Sequence, residues 1–226
     1  MGTSPSEPID AYLTQDLKKR NLSLISIPVT FEDTQGIYNI LGLKNSKILR
    51  MDGPILAGIY KGNIRFWDDL EIRAINSYAT FPHRCIKVVH RADASGTPFV
   101  FTDYIAKTLK GWNESLGRNL SPTRRGGLGY NSSDAVVPAI VGTQASIGYE
   151  GLGWFNEYHL KSMAALQNRD GYYVVCSIKN IQTTGKASLH DRTFRMTSIG
   201  RRSGSYTEDI YPEDNFEIWM VGAILV

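Results

Sequence analysis

The stretch IKVVHRADASGTPFVFTDYIAK, residues 86–107, gathers side chains suited to one kind of chemistry. IKVVH (86–90) reads as a buried strand that ends at His90. The polar loop after it delivers Arg91, Asp93, Ser95, Gly96 and Thr97. Pro98 then fits the first turn of a helix, where its missing N–H costs nothing, and Ser95 suits the N-cap. A helix N-terminus carries unsatisfied N–H groups and about half a unit of positive charge. Gly96 lets a ligand come close to the backbone, and Ser95 and Thr97 add hydroxyl donors. Arg91 supplies a planar fork suited to a tetrahedral oxyanion, and Asp93, two residues on, can hold that fork in place. Donors converging at one helix start make an anion site that phosphate or sulfate would fit.

Two other readings use the same residues. One is an ordinary capped helix after a strand, with Arg91 and Asp93 as a surface pair. The other makes Ser95 a nucleophile with His90 as its base. No G-x-S-x-G elbow surrounds that serine, which argues against catalysis. No spacing suggests a metal site, so neither a catalytic residue nor a cofactor is expected.

The loop needs elements to hold it. DAYLTQDLKKRNL (10–22) reads as a short amphipathic helix and LSLISIPV (22–29) as a strand, with Pro28 placing it at an edge or a crossover. GIYNILGL (36–43) reads as a strand ending in a turn. Helices are expected over 55–61 and 69–76, with Trp67 between them as an aromatic anchor. Phe99, Val100, Tyr104, Ile105 and Leu109 recur at helical spacing after the loop. RRGGLGYNSS (124–133) reads as a glycine-rich loop and DAVVPAIVG (134–142) as a helix that Pro138 kinks. ASIGYEG (145–151) reads as a strand and turn, LGWFNEYHLKSMAAL (152–166) as one helix, and GYYVVCSI (171–178) as a strand. Residues 182–215 are polar and unassigned, and Ile218–Val226 reads as a terminal strand. Strands alternating with helices predict an α/β fold with a largely parallel sheet, whose ligands lie beyond the carboxyl ends of its strands.

Composition agrees with a folded chain. The 226 residues are 42% hydrophobic and 21% charged, which excludes a disordered or collagen-like protein. The net charge of +3 is small and evenly spread, so nucleic acid is not an expected partner. No apolar run reaches the roughly 18 residues that span a bilayer. MGTSPSEPID has no basic or apolar leader region, which taken alone suggests the cytoplasm. Cys85 and Cys176 have no metal-like spacing; buried free thiols are expected, and a disulfide stays open.

VVHRADASGTPFVFTDYIAK closely resembles the R-x-D-x-S-G-T loop of PstS-type phosphate-binding proteins, the substrate-binding components of phosphate ABC transporters. Other segments resemble that family in the same order: IPVTFEDTQGIYNILGL, LAGIYKGNIRFWDDLEIRAIN, GGLGYNSSDAVVPAIVGTQASIGYEGL and NRDGYYVVCSIKNIQ. Together they run over about residues 2–185.

The resemblance implies a two-domain α/β clamp of the type II periplasmic-binding-protein kind, closing on phosphate by hinge motion. Residues 1–30 would be a remnant of domain I with the first hinge strand. Residues 31–178 would form the anion-binding domain II, and 179–226 would return to domain I. Arg91 matches the arginine that binds phosphate directly, and Asp93 the acid that orients it. Ser95, Gly96 and Thr97 match the hydroxyl and backbone donors. The implied partners are inorganic phosphate and the permease subunits of an ABC importer. The implied state is a monomer, periplasmic or extracellular and membrane-associated.

Three departures qualify the match. The chain starts late, as though the leader and the first half of domain I were missing; the remaining pieces, 1–22 and the tail, would then lack a sheet to join. In the family's G-A-S-D-x-P-L segment, an aspartate accepts from protonated phosphate and so rejects sulfate. Here the segment is GTSPSEPI (2–9): either Glu7 replaces that aspartate or Pro5 occupies its place, and a charged turn ahead of a helix accounts for it equally well. Asn131 is followed by Ser132-Ser133-Asp134 in place of the usual N-x-G-V, and Cys176 replaces a usual proline. The alternatives to phosphate delivery are a half-site fragment needing a separate N-terminal segment, a binder of another oxyanion such as sulfate or molybdate, and a Ser95-dependent hydrolase.

Overall fold

Alternating apolar residues in the central strands decide how the layers stack. A computed structural model of the chain describes residues 19–20, 24–26, 33–41, 43, 48–93, 95–109, 111–112, 127–160, 162–168 and 170–182, with three short strand segments nearer the C-terminus. The elements that position the site are β2 (Gln35–Asn39), β4 (Lys87–Arg91), β5 (Leu128–Tyr130) and β6 (Ser146–Glu150), with β1 (Leu24–Ser26) and β3 (Arg50–Met51) before and between them. The helices are α1 (Gly53–Lys61), α2 (Leu70–Ile75), α3 (Gly96–Thr108), α4 (Ser133–Gly142) and α5 (Leu152–Glu157).

A four-stranded sheet runs β2-β6-β4-β5. β4 is parallel to both β5 and β6, while β2 is antiparallel to β6. Three of its four strands therefore run parallel, as expected, and β2 alone is reversed, which makes the sheet mixed. Neighbouring residues on each strand face opposite sides. Tyr38, Val88, Ile147 and Tyr149 join the larger core with α1 and α3, where Phe101 stacks on Tyr149 at 4.3 Å between ring centroids. Ile37 and Val89 face the other way, onto Val136 and Ile140 of α4. Trp67 is fully buried in the larger core and donates from Nε1 to the Ala145 carbonyl at 3.0 Å, as an anchor should.

The expected helices over 55–61 and 69–76 form as α1 and α2. Asp52 caps α1 by accepting from the Ile55 N–H, with Pro54 in the first turn. Gly62 ends α1 in the left-handed conformation.

Other expectations need correction. The glycine-rich stretch is not all loop: Leu128–Tyr130 pairs with Val89–Arg91 as a parallel strand. The helix expected over 152–166 stops at Glu157. His159 turns left-handed at φ 48°, its N–H bonds the Asn156 carbonyl, and the Leu160 N–H bonds the Phe155 carbonyl. That pattern satisfies two end carbonyls, while Phe155 and Leu160 pack on the α4 side of the sheet. The chain then runs back along β2. Met163 bridges Ile37, and β7 (Ala165–Gln167) pairs parallel with β3. Here sheet pairing overrides the apolar spacing of Met163, Ala164, Ala165 and Leu166.

β8 (Tyr173–Val174) is the only strand within 171–178; it lies antiparallel to β7. Further on, β9 (Ser198–Ile199) pairs with β10 (Phe216–Glu217). β11 (Ala223–Leu225) returns to pair antiparallel with β1, so the tail has a strand partner after all. Both cysteines are free, as expected, but only Cys176 is buried; Cys85 is exposed. The helix expected over 10–22 lies outside the described residues apart from Lys19 and Arg20. No helix among the described residues is long and apolar enough to cross a membrane.

Candidate functional site

Arg91 is the last residue of β4, and the sheet register fixes what stands beside it. Tyr130 is its partner on β5. Continuing the β4–β6 pairing brings Glu150 level with Arg91, and Gln35 of β2 pairs with Glu150. Gln35, Glu150, Arg91 and Tyr130 thus form one row across the sheet. They share the face covered by α4, whose first residue is Ser133.

This row holds the guanidinium. Arg91 donates from Nε to Asp93 Oδ1 at 2.6 Å and from Nη2 to Asp93 Oδ2, a bidentate pair. Its Nη1 donates to Ser133 Oγ at 2.8 Å, and that hydroxyl donates on to Glu150 Oε2 at 3.1 Å. Glu150 Oε1 stands 3.9 Å from Nη1. Arg91 is 8% exposed and Glu150 1%, while Asp93 keeps 30% of its side chain exposed at the solvent side of the network. Burial opposes the charge on Arg91, but the Asp93 and Glu150 carboxylates outweigh it and raise its pKa above the usual value. The guanidinium stays charged at any working pH. A guanidinium has five N–H donors, and these contacts use three, leaving one on each terminal nitrogen.

The rest of the expected loop sits at the start of α3. Ser95 occupies the N-cap with extended backbone, as its sequence position suggested, but makes no side-chain cap bond. Ser95, Gly96 and Thr97 are buried. No hydrogen bond among the described residues engages the Ser95 or Thr97 hydroxyl. These groups follow Arg91 at the carboxyl end of β4, the edge where such folds place ligands. No hydrogen bond or ion pair joins Arg91 to Ser95 or Thr97, and Glu7 lies outside the described residues. His90, the only base the nucleophile reading offered, turns its Nδ1 to the Arg91 carbonyl at 3.0 Å. No group of three or more His, Cys, Asp or Glu among the described residues is placed to hold a metal ion.

The PBP superfamily domain matches residues 8–194. The chain belongs to the PBP superfamily. It is 33% identical over 176 residues to the phosphate-binding protein PstS of Pasteurella multocida, covering 75% of this chain and 50% of that protein. It is 33% identical over 212 residues to PstS of Methanocaldococcus jannaschii, covering 89% and 52%. The chain thus spans about half the length of these curated relatives. Its fold is that of a high-affinity periplasmic phosphate-binding protein, PfluDING, solved with phosphate bound: TM-score 0.68, 14% identity, covering 99% of this chain and 64% of that one. The mixed α/β architecture is that of a type II periplasmic-binding-protein fold.

For this PBP-superfamily chain, sequence reading expected the Arg91–Asp93 pair that the structure shows, and gave no part to Ser133 or Glu150 beside it. Ser133 stood out only as a departure from a glycine pattern. Glu150 gives no local signal, because its role depends on β4 and β6 being neighbours in register. Gly148 is what lets α4 come close: a Cβ there would lie 2.5 Å from Ile140 Cδ1 and 3.0 Å from the Val89 carbonyl oxygen.

A second buried polar group adjoins this row. Asp33 accepts from the Leu152 N–H at 2.9 Å. Burial pushes its carboxyl up to about 6, despite opposing hydrogen bonds from the Cys176 thiol and the Leu152 N–H. Burial, with the Asp33 charge beside it, also pushes the Cys176 thiol well above its usual range.

Proposed function

We propose that this chain binds inorganic phosphate, as the substrate-binding component of an ABC-type phosphate importer. The carrying observation is the Arg91 network: a buried, permanently charged fork locked on one side by Asp93 and on the other by Ser133 and Glu150. Such a fork is already oriented before the ligand arrives, so little side-chain entropy is lost on binding. Arg91 supplies charge-assisted donors, Asp93 orients it, and Ser95, Gly96 and Thr97 supply neutral donors at the α3 N-terminus. Glu7 is the proposed acceptor for a protonated phosphate oxygen. Binding requires no covalent step, and no residue is assigned a catalytic role.

The names of the relatives support the same reading, since each is a phosphate-binding protein. In this proposal residues 31–178 form the anion-binding domain, with 1–30 and 179–226 belonging to the opposing side of the clamp. The protein acts as a monomer, periplasmic or extracellular and membrane-associated, and passes phosphate to permease subunits.

Isothermal titration of the 226-residue chain with inorganic phosphate tests this. Arg91→Ala should abolish detectable binding, and Arg91→Lys should weaken it strongly by losing the bidentate fork. Near-unchanged affinity in Arg91→Ala would contradict the assignment.

A further inference from the structure

Gln35 belongs to the Arg91 row, yet its side chain takes no part in the network described above. It is 1% exposed, and neither its Nε2 nor its Oε1 has a hydrogen-bond partner among the described residues. Buried amides are nearly always paired, so a buried pair of orphan atoms calls for a reason. Register gives its position. Gln35 is the cross-strand partner of Glu150, so the two side chains leave the sheet on the same face, with Cβ atoms about 5 Å apart. Glu150 is itself held to Ser133, which takes the Arg91 Nη1 donor. The orphan carboxamide therefore stands at the end of the polar row that holds the anion-binding arginine.

We propose that Gln35 is a specificity-determining residue of the anion site, its carboxamide engaging an oxyanion that both donates and accepts a hydrogen bond. A carboxamide offers an N–H donor and a C=O acceptor side by side. Dihydrogen phosphate answers both, with an unprotonated oxygen for the N–H and one P–OH for the carbonyl, its second P–OH remaining for Glu7. Sulfate carries only acceptors and leaves the buried carbonyl unpaired, which penalises it. This rests on the phosphate-binding reading above. Its new content is the part played by a strand residue outside the loop at residues 91–97.

The test is Gln35→Met, which keeps the length of the side chain and removes both polar atoms. Titrate the unmutated and variant 226-residue chains with inorganic phosphate and with sulfate, and record their melting temperatures without ligand. A residue that is only a buried, unpaired amide predicts a variant that melts higher and binds phosphate as before. The proposal predicts a variant that melts at least as high yet binds phosphate at least tenfold more weakly. Sulfate affinity should change less than threefold. Phosphate affinity within twofold of the unmutated chain overturns the proposal, and so does an equal loss for both anions. If Gln35→Met does not fold, Gln35→Glu carries the test: with the shape kept and a second carboxylate beside Glu150, phosphate binding should fall more than tenfold, and retained affinity overturns the proposal. Absence of phosphate binding by the unmutated chain overturns the functional reading, and this proposal with it. Normal binding that is lost in Arg91→Ala but kept in Gln35→Met overturns this proposal alone.

Discussion

Ser133 ties two charged side chains together through one hydroxyl, receiving from Arg91 and donating to Glu150. Removing it leaves Asp93 as the one hydrogen-bonded brace on the guanidinium among the described residues. Ser133→Ala should weaken phosphate binding about tenfold, in line with roughly 1.5 kcal/mol for a hydrogen bond to a charged group, as read by titration calorimetry. Unchanged affinity would show that Asp93 alone orients the fork. Asp33 makes a second prediction. Its folded pKa is raised to about 6 from the 3.8 of a free aspartate, so the native state holds the proton more tightly than the unfolded chain. Its contribution is most favourable below pH 3.8 and is lost as pH rises to about 6. Two pKa units correspond to a penalty on the order of 3 kcal/mol at neutral pH. Asp33→Asn should therefore melt higher than the unmutated chain at pH 7, and the gap should close near pH 4. A gap that does not change with pH would contradict this. At this scale the sequence was informative where function depends on neighbours along the chain, as with Arg91 and Asp93. It was silent on Gln35 and Glu150, which meet residues more than fifty positions away.

The carboxyl end of β4 and the start of α4 form one site only because α4 lies close on the sheet. Gly148 permits this, with Ile140 and the Val89 backbone filling the space a side chain would need. Backbone cannot give way cheaply, so Gly148→Ala should cost about 1–3 kcal/mol in chemical unfolding and weaken phosphate binding by displacing Ser133. A variant with full stability and affinity would show that α4 has slack. The same scale explains what was hard to read. The helices α1, α2 and α3 were legible because caps, apolar spacing and prolines agreed. The stretch 152–166 carries apolar residues at intervals that suit a helix, yet the helix ends after its first six residues. His159, a non-glycine residue in the left-handed region, marks the turn, and sheet pairing decides the rest. β5 was hidden in a glycine-rich run because a three-residue strand with a glycine at its centre shows too little alternation to register.

Across the whole molecule, the fold class was legible from the ordered motifs, and the mixed sheet was not. Antiparallel β2 enters from one edge, and no local pattern reveals that direction. The large core explains why the site can be held firmly: Trp67, Tyr149, Phe101 and Trp112 are nearly or fully buried within it. Trp67→Ala should cost about 3–5 kcal/mol by denaturant titration, since it removes a fully buried ring and orphans the Ala145 carbonyl. A loss under 1 kcal/mol would mean that this core is not packed as described.

The central claim is that the chain, spanning about half the length of its curated PstS relatives, binds inorganic phosphate at the Arg91 site. A thermal unfolding scan with and without millimolar phosphate, with sulfate as control and Arg91→Ala alongside, tests it most directly. Ligand at about 100 times its dissociation constant adds about 2.7 kcal/mol, a rise of roughly 5–10 °C for a chain of this size. The account predicts one cooperative transition raised by phosphate, raised far less by sulfate, and unmoved in Arg91→Ala. A transition that phosphate does not move in the unmutated chain, or moves equally in Arg91→Ala, would contradict it.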